Sequence, residues 1–198
     1  AEAIRDSLAG SPELRQVLDG IPTQRFKMRR GTQRIPTQQG DLAALHPKGA
    51  QLPADRVTPV DIVRQSDSHS LLGDEGNPQI TLVGSSYSQD WTTFPGVLRH
   101  TLQRDLLDVN SAADRGHWHG MEAYLRDDAY QTRPPRLLLW EFPERDLKSP
   151  PDARWREARY RSDNREWLLR AAALVEKDCA PSPARIAGFP YLRVDRFL

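Results

Sequence analysis

Cysteine is nearly absent. Cys179 is the single one among 198 residues, so no disulfide can close within the chain. With no histidine or acidic cluster beside it, Cys179 reads as a half-buried structural thiol; the alternative is a partner thiol in a portion of the parent protein outside this sequence. No run of about 18 apolar residues occurs, so no segment reads as a membrane span. No basic start followed by an apolar core reads as a signal peptide. Charge of one sign is lacking as well: the net value is +1, which argues against a nucleic-acid or membrane surface as the partner. No internal repeat is present. The remainder is 38% hydrophobic and 28% charged. The length suits one α/β-sized domain, large enough to bury a core without disulfides or a structural metal.

Residues 1–8 read as a helix already under way, with apolar positions at helical spacing and no N-cap, which gives the expectation that a natural N-terminal portion precedes them. Ser11-Pro12-Glu13 restarts a helix with a capping residue and a proline in its first turn. Residues 24–30 alternate like a strand. Residues 20–60 are predicted to be a loop-rich insertion, since 32–59 are rich in Gln, Pro, Gly and Asp. Residues 60–63 form a plausible short strand. The informative part begins at Gln79. The apolar, β-branched run 79–84 reads as a buried strand, 94–107 as a helix, 106–110 as a second strand, 119–129 as a second helix, and the apolar run 136–142 as a third strand. That alternation predicts an α/β parallel sheet with helices on its faces, and such sheets bind ligands beyond the carboxyl ends of their strands. Ser86, residues 110–119 and residues 140–145 all fall on that edge. Residues 164–177 read as a closing helix and 189–194 as a last strand. The domain is expected over 1–178, with 179–198 a tail or the start of a truncated accessory module.

Gly84-Ser85-Ser86-Tyr87-Ser88 follows the first buried strand. A serine in a tight turn that feeds a helix exposes its hydroxyl, and the N–H groups opening the helix can hold an oxyanion. The turn is not Gly-X-Ser-X-Gly, and serine is also an ordinary turn and N-cap residue, so local chemistry leaves nucleophile and cap both open.

The block Leu82-Val83-Gly84-Ser85-Ser86-Tyr87-Ser88, with Trp91 and Phe94 before the helix, resembles the nucleophile block of the SGNH-hydrolase-like alginate O-acetyltransferase (AlgX/AlgJ-like) family. That block reads Gly-Thr-Ser-Tyr-Ser, and Ser85 stands here for the threonine. A second block, Trp140-Glu141-Phe142-Pro143-Glu144-Arg145 at the end of an apolar strand, is similar to the family's Trp-Glu-(Ile/Phe)-Pro-Glu-Arg. The resemblance implies a three-layer SGNH-hydrolase-like (flavodoxin-like) fold with helices on both faces, and a polysaccharide O-acetyltransferase in the bacterial periplasm. Acetylesterase and non-catalytic polysaccharide-binding or assembly subunit are the alternatives. Ser86 would be the nucleophile and an oxyanion donor, with the Gly116 N–H as a second donor by analogy. An exopolysaccharide such as alginate would be the acceptor, and an acetyl donor or a membrane acetyltransferase the partner. No metal, cofactor or nucleic acid is implied.

A serine nucleophile needs a base, and the base an orienting carboxylate. The family's Asp-X-His-Trp motif does not occur in these residues, so the dyad is expected outside the chain. Asp67 and His69 have the Asp-X-His spacing without the Trp. His117 and His119, in Gly116-His117-Trp118-His119, are further candidates for the base, and otherwise read as a solvated or substrate-lining loop or as a metal pair. Tyr87, Trp140, Arg145, Arg115 and His117 are candidate substrate contacts. Trp140 would stack on a sugar ring or simply pack. Arg115, Arg136 and Arg145 would pair with uronate carboxylates, Arg145 alternatively clamping Glu141 or Glu144. The Arg-rich run 154–170 reads as a solvated helix face.

Overall fold

Ile80–Gly84 is buried along its whole length, and a strand with no wet face belongs in the middle of a sheet. In the computed structural model, which describes residues 1–31, 60–65, 77–111 and 115–176 (the side chains of Trp91 and Arg145 excepted), it does lie there. The elements run α1 (Glu2–Gly10), α2 (Pro12–Asp19), β1 (Phe26–Arg30), β2 (Val60–Arg64), β3 (Ile80–Gly84), α3 (Phe94–Leu102), β4 (Leu107–Asn110), α4 (Gly116–Arg126), α5 (Asp128–Thr132), β5 (Leu137–Trp140) and α6 (Asn164–Val175). The main sheet has the order β4-β3-β5, with β4 and β5 both parallel to β3. Register places Gly84 opposite Asn110 and Val83 opposite Trp140.

The period of two along each strand sorts the core into two layers. Ile80, Leu82 and Leu137 face Leu8, Leu98 and Leu102, with Ile4, Val17 and Leu139 beside them, so α1, α2 and α3 cover one face. Val83 faces Met121, Tyr124, Leu125, Trp167 and Ala171, with Leu107, Val109 and Trp140 beside them, so α4 and α6 cover the other. This is the expected three-layer fold with helices on both faces. The chain leaves β3 toward the first face and reaches α6, after β5, on the second. The carboxyl ends of neighbouring strands whose chains leave toward opposite faces are where α/β sheets bind ligands.

The strands read at 24–30 and 60–63 are real but stand apart. β1 and β2 form a separate antiparallel pair, seated on α3 through Ile62, whose side chain lies 2.9 Å from where a Cβ on Gly96 would be. Gln103 ties this pair to the end of α3. Its side chain accepts from the Phe26 N–H at 3.0 Å and donates to the Phe26 carbonyl at 3.1 Å. The Ser11 cap is formed, its hydroxyl accepting from the Leu14 N–H. The helix expected from 119 starts three residues earlier, at Gly116. The Arg-rich run is not one helix: residues 154–163 are irregular apart from a 3-10 turn at Ala158–Tyr160, and α6 starts at Asn164 behind its Asp163 cap.

Candidate active site

β3 ends at Gly84, and the chain does not pass directly into α3. Two short 3-10 turns intervene, Ser86–Ser88 and Asp90–Thr92, and α3 begins only at Phe94. The expectation that N–H groups of the long helix flank Ser86 is therefore corrected: the donors nearest to it belong to the first 3-10 turn. Their commitments can be followed one by one. The Ser85 N–H donates to Glu141 Oε2 at 2.8 Å, the Tyr87 N–H to Ser85 Oγ at 3.2 Å, and the Ser88 N–H to the Ser85 carbonyl at 3.0 Å. Among the described residues, neither the N–H nor the hydroxyl of Ser86 has a hydrogen-bond partner. Ser85 and Ser88 are buried, Ser86 is half-buried, and the Tyr87 ring is 48% exposed beside it.

Glu141 is the residue that sequence reasoning passed over. Besides the Ser85 N–H, its carboxylate accepts from Ser85 Oγ at 2.9 Å and from Ser88 Oγ at 2.8 Å. Its own N–H donates to the Val83 carbonyl at 2.8 Å, continuing the β3–β5 ladder. The Arg145 side chain, read as a clamp for Glu141 or Glu144, lies outside what the structure describes. On the other side, the Ser111 N–H donates to the Gly84 carbonyl at 2.9 Å. Asp108 on β4 has its carboxyl pushed up to about 6, chiefly by burial, with Arg99 opposing and Asp90 and Glu141 adding repulsion.

His117 is not on a solvated loop. It sits in the first turn of α4, 5% exposed, stacked on Phe142 with ring centroids 4.7 Å apart and touching Trp118 and Trp140. That leaves it no open surface for a substrate, and His119 turns instead toward Tyr160 at 4.9 Å, so the two imidazoles are not a metal pair. Trp140 is half-buried and packs against Trp118, Phe142 and Trp167. Arg136 lies before β5, on the edge away from Ser86, and donates to the Gly20 carbonyl at 2.6 Å; a cavity of about 630 Å³ lined by Gln79, Arg133, Pro134 and Arg136 shares that far edge. Arg115 is exposed at the start of α4. Gly116 has φ +77°, and the guanidinium of the buried Arg156 occupies the place of its missing Cβ, so two requirements select glycine there. Asp67 and His69 lie outside the described residues.

Burial holds the His117 pKa at about 4; Asp146, 3.7 Å away and too far for a hydrogen bond, opposes the shift, and Arg156 adds to it. The folded state thus binds fewer protons than the unfolded one between about pH 6.5 and 4. The stability is fully present above 6.5 and is lost as pH falls toward 4, by roughly 3 kcal/mol at the limit. Asp108 acts in the opposite sense over an overlapping range, so the contrast of wild type with His117→Phe isolates the histidine. The difference between their urea midpoints should shift in the variant's favour from pH 7 to 4.5, whichever protein is the more stable at pH 7; a constant gap would contradict the assignment.

A family model described as the SGNH hydrolase-like domain of acetyltransferase AlgX matches residues 1–144. The chain belongs to this family. It is 32% identical over 169 residues to the probable alginate O-acetylase AlgJ of Pseudomonas aeruginosa, a match spanning 77% of this chain and 42% of that protein. It is 37% identical over 124 residues to the alginate biosynthesis protein AlgX of Pseudomonas syringae pv. tomato, over 62% of this chain and 22% of that one. Among solved structures, the O-acetyltransferase domain of Pseudomonas putida AlgJ aligns with a TM-score of 0.57 at 26% identity, covering 80% of this chain and 52% of that one. The chain thus spans less than half the length of the two curated relatives.

Proposed function

We propose that this domain is a serine-dependent O-acetyltransferase acting on hydroxyls of an acidic exopolysaccharide such as alginate, in the bacterial periplasm. The observation that carries the reading is the Ser86 turn: of the serine hydroxyls and the N–H groups of residues 85–88, those of Ser86 stay uncommitted among the described residues, at the sheet edge where α/β ligands bind. Ser86 Oγ attacks the acetyl carbonyl of an ester or thioester donor while its proton passes to a histidine base. The Ser86 N–H, and by family analogy that of Gly116, holds the oxyanion; the donor's oxygen or sulfur leaves with the proton. A sugar hydroxyl then attacks the acetyl-serine, its proton going to the same base, and Ser86 is restored.

The base belongs outside the described residues. His117 is enclosed by rings, His119 faces Tyr160, and His100 is in the last turn of α3, at the edge opposite Ser86. An acidic acceptor is supported by a groove of about 370 Å³ beside α4, where Trp118, His119 and Tyr160 lie with Arg126, Arg159, Arg161 and Arg170 around the single acid Glu122. Glu122 engages Arg126 and Arg170; Arg161 is exposed.

The test is transfer from a chromogenic acetyl ester to an oligouronate, read by mass spectrometry as one added acetyl group. Arg161→Ala should raise KM for the oligouronate about fivefold, from about 1 kcal/mol of exposed ionic contact, with kcat and a neutral acceptor unaffected. Acetyl release to water alone would favour the esterase, and binding without turnover a non-catalytic subunit.

A further inference from the structure

Two serines stand side by side after β3, equal in intrinsic reactivity, and the structure treats them differently. Ser85 Oγ donates to Glu141 and accepts from the Tyr87 N–H, and its own N–H is held by the same carboxylate. Ser85 is 6% exposed, whereas Ser86 is half-buried. We propose that Glu141 is the positioning residue of the site: by fixing Ser85 and Ser88 from the end of β5, it makes Ser86 the one hydroxyl of the pair presented to an acyl group. This rests on the reading of Ser86 as nucleophile and deepens it.

The reach of Glu141 is set by main chain. The bond from its N–H to the Val83 carbonyl places it beside Gly84, so the carboxylate can span only the first turn after β3. The three donors it collects lie on two residues that bracket Ser86 in sequence, Ser85 and Ser88. A segment pinned on both sides of its reactive residue holds that residue's backbone at one orientation, and misplacement of a reacting group by about 1 Å can cost about 100-fold in rate. Gly84 completes the arrangement. The Ser88 side chain lies where a Gly84 Cβ would be, and Glu141 Oε2 is 3.1 Å from that point, so the glycine is what lets Ser88 reach the carboxylate. The bonds from the Ser85 N–H and the Ser88 hydroxyl, both 2.8 Å long, lie within the normal hydrogen-bond range.

The experiment uses the full chain, wild type and Glu141→Ala, with two readouts. The first is labelling by a small fluorophosphonate, in which the Oγ–P bond forms, the P–F bond breaks, and fluoride and the hydroxyl proton depart; peptide mapping locates the adduct. The second is amide hydrogen exchange across residues 84–89. In the wild type the adduct is expected on Ser86 alone and the turn is protected. In Glu141→Ala, labelling should slow about 100-fold and divide between Ser85 and Ser86, while exchange accelerates in the turn and not in β3. An adduct on Ser85 in the wild type, or unchanged rate, position and exchange in the variant, would overturn the proposal. If the wild type takes no label, the nucleophile reading fails, and exchange alone decides the positioning: a loss of protection confined to the turn sustains it and none refutes it. Should Glu141→Ala fail to fold, Glu141→Gln and Ser88→Ala, each of which alters part of the set of bonds, carry the same comparison.

Discussion

Ser86→Ala is expected to lower acetyl transfer by at least about 10³-fold, to the level left by oxyanion stabilisation and binding alone. The fold should be indifferent to it. Among the described residues the Ser86 hydroxyl holds no hydrogen bond, so removing it strips no partner, and the unfolding midpoint should move by no more than about 0.5 kcal/mol. That combination, chemistry lost and stability kept, separates a reacting group from the capping serine that local sequence equally allows. Transfer at the wild-type rate by the alanine protein would end the assignment. The neighbouring Ser85→Ala should behave in the reverse manner. It deletes a buried hydroxyl that Glu141 and the Tyr87 N–H both use, so it should cost about 1–3 kcal/mol of stability.

Gly84→Ala should be the second severe change. The added methyl falls on the Ser88 side chain, which is fully buried and donates to Glu141, so neither neighbour can swing away without breaking a bond. The turn must shift as a whole. Overpacking of this kind costs about 1–3 kcal/mol, and the displacement of Ser86 should reduce kcat about 100-fold or more. Circular dichroism and thermal melts with single-turnover kinetics check both parts. A variant of full activity would mean that the turn has room which the structure denies it.

The strands that build the site were legible because burial on both faces demands continuous apolar, β-branched stretches. Residues 79–84 and 136–142 stand out from a chain of mean hydropathy −0.68. The helix starting at Gly116 was misplaced for a physical reason. Gly-His-Trp-His alternates like a loop, and the wide aromatic contacts that bury His117 come from β5 and the segment after it, 25 residues away in sequence. Arg156 as a buried cation was hidden in the same way. An arginine among exposed arginines carries no local mark of being the one that covers a glycine. Glu141 was illegible because its function depends on register. Only when Val83 is paired with Trp140 does the next residue of β5 stand beside the turn after β3. The family block contained the glutamate, but a motif names a residue without saying which atoms it holds.

The grouping of Trp118, Trp140 and Trp167, with neighbouring centroids 4.9 to 6.3 Å apart, has an optical consequence. Three of the chain's five tryptophans report on one layer, that of α4 and α6, while Trp155 is 63% exposed. Rings this close exchange excitation, so their emission behaves as one shared chromophore. Its colour and intensity follow the separation of that layer from the sheet and say little about α1, α2 and α3. His117 touches two of the three rings, and an imidazolium quenches indole. The same emission therefore carries a built-in signal of acid reaching the interior.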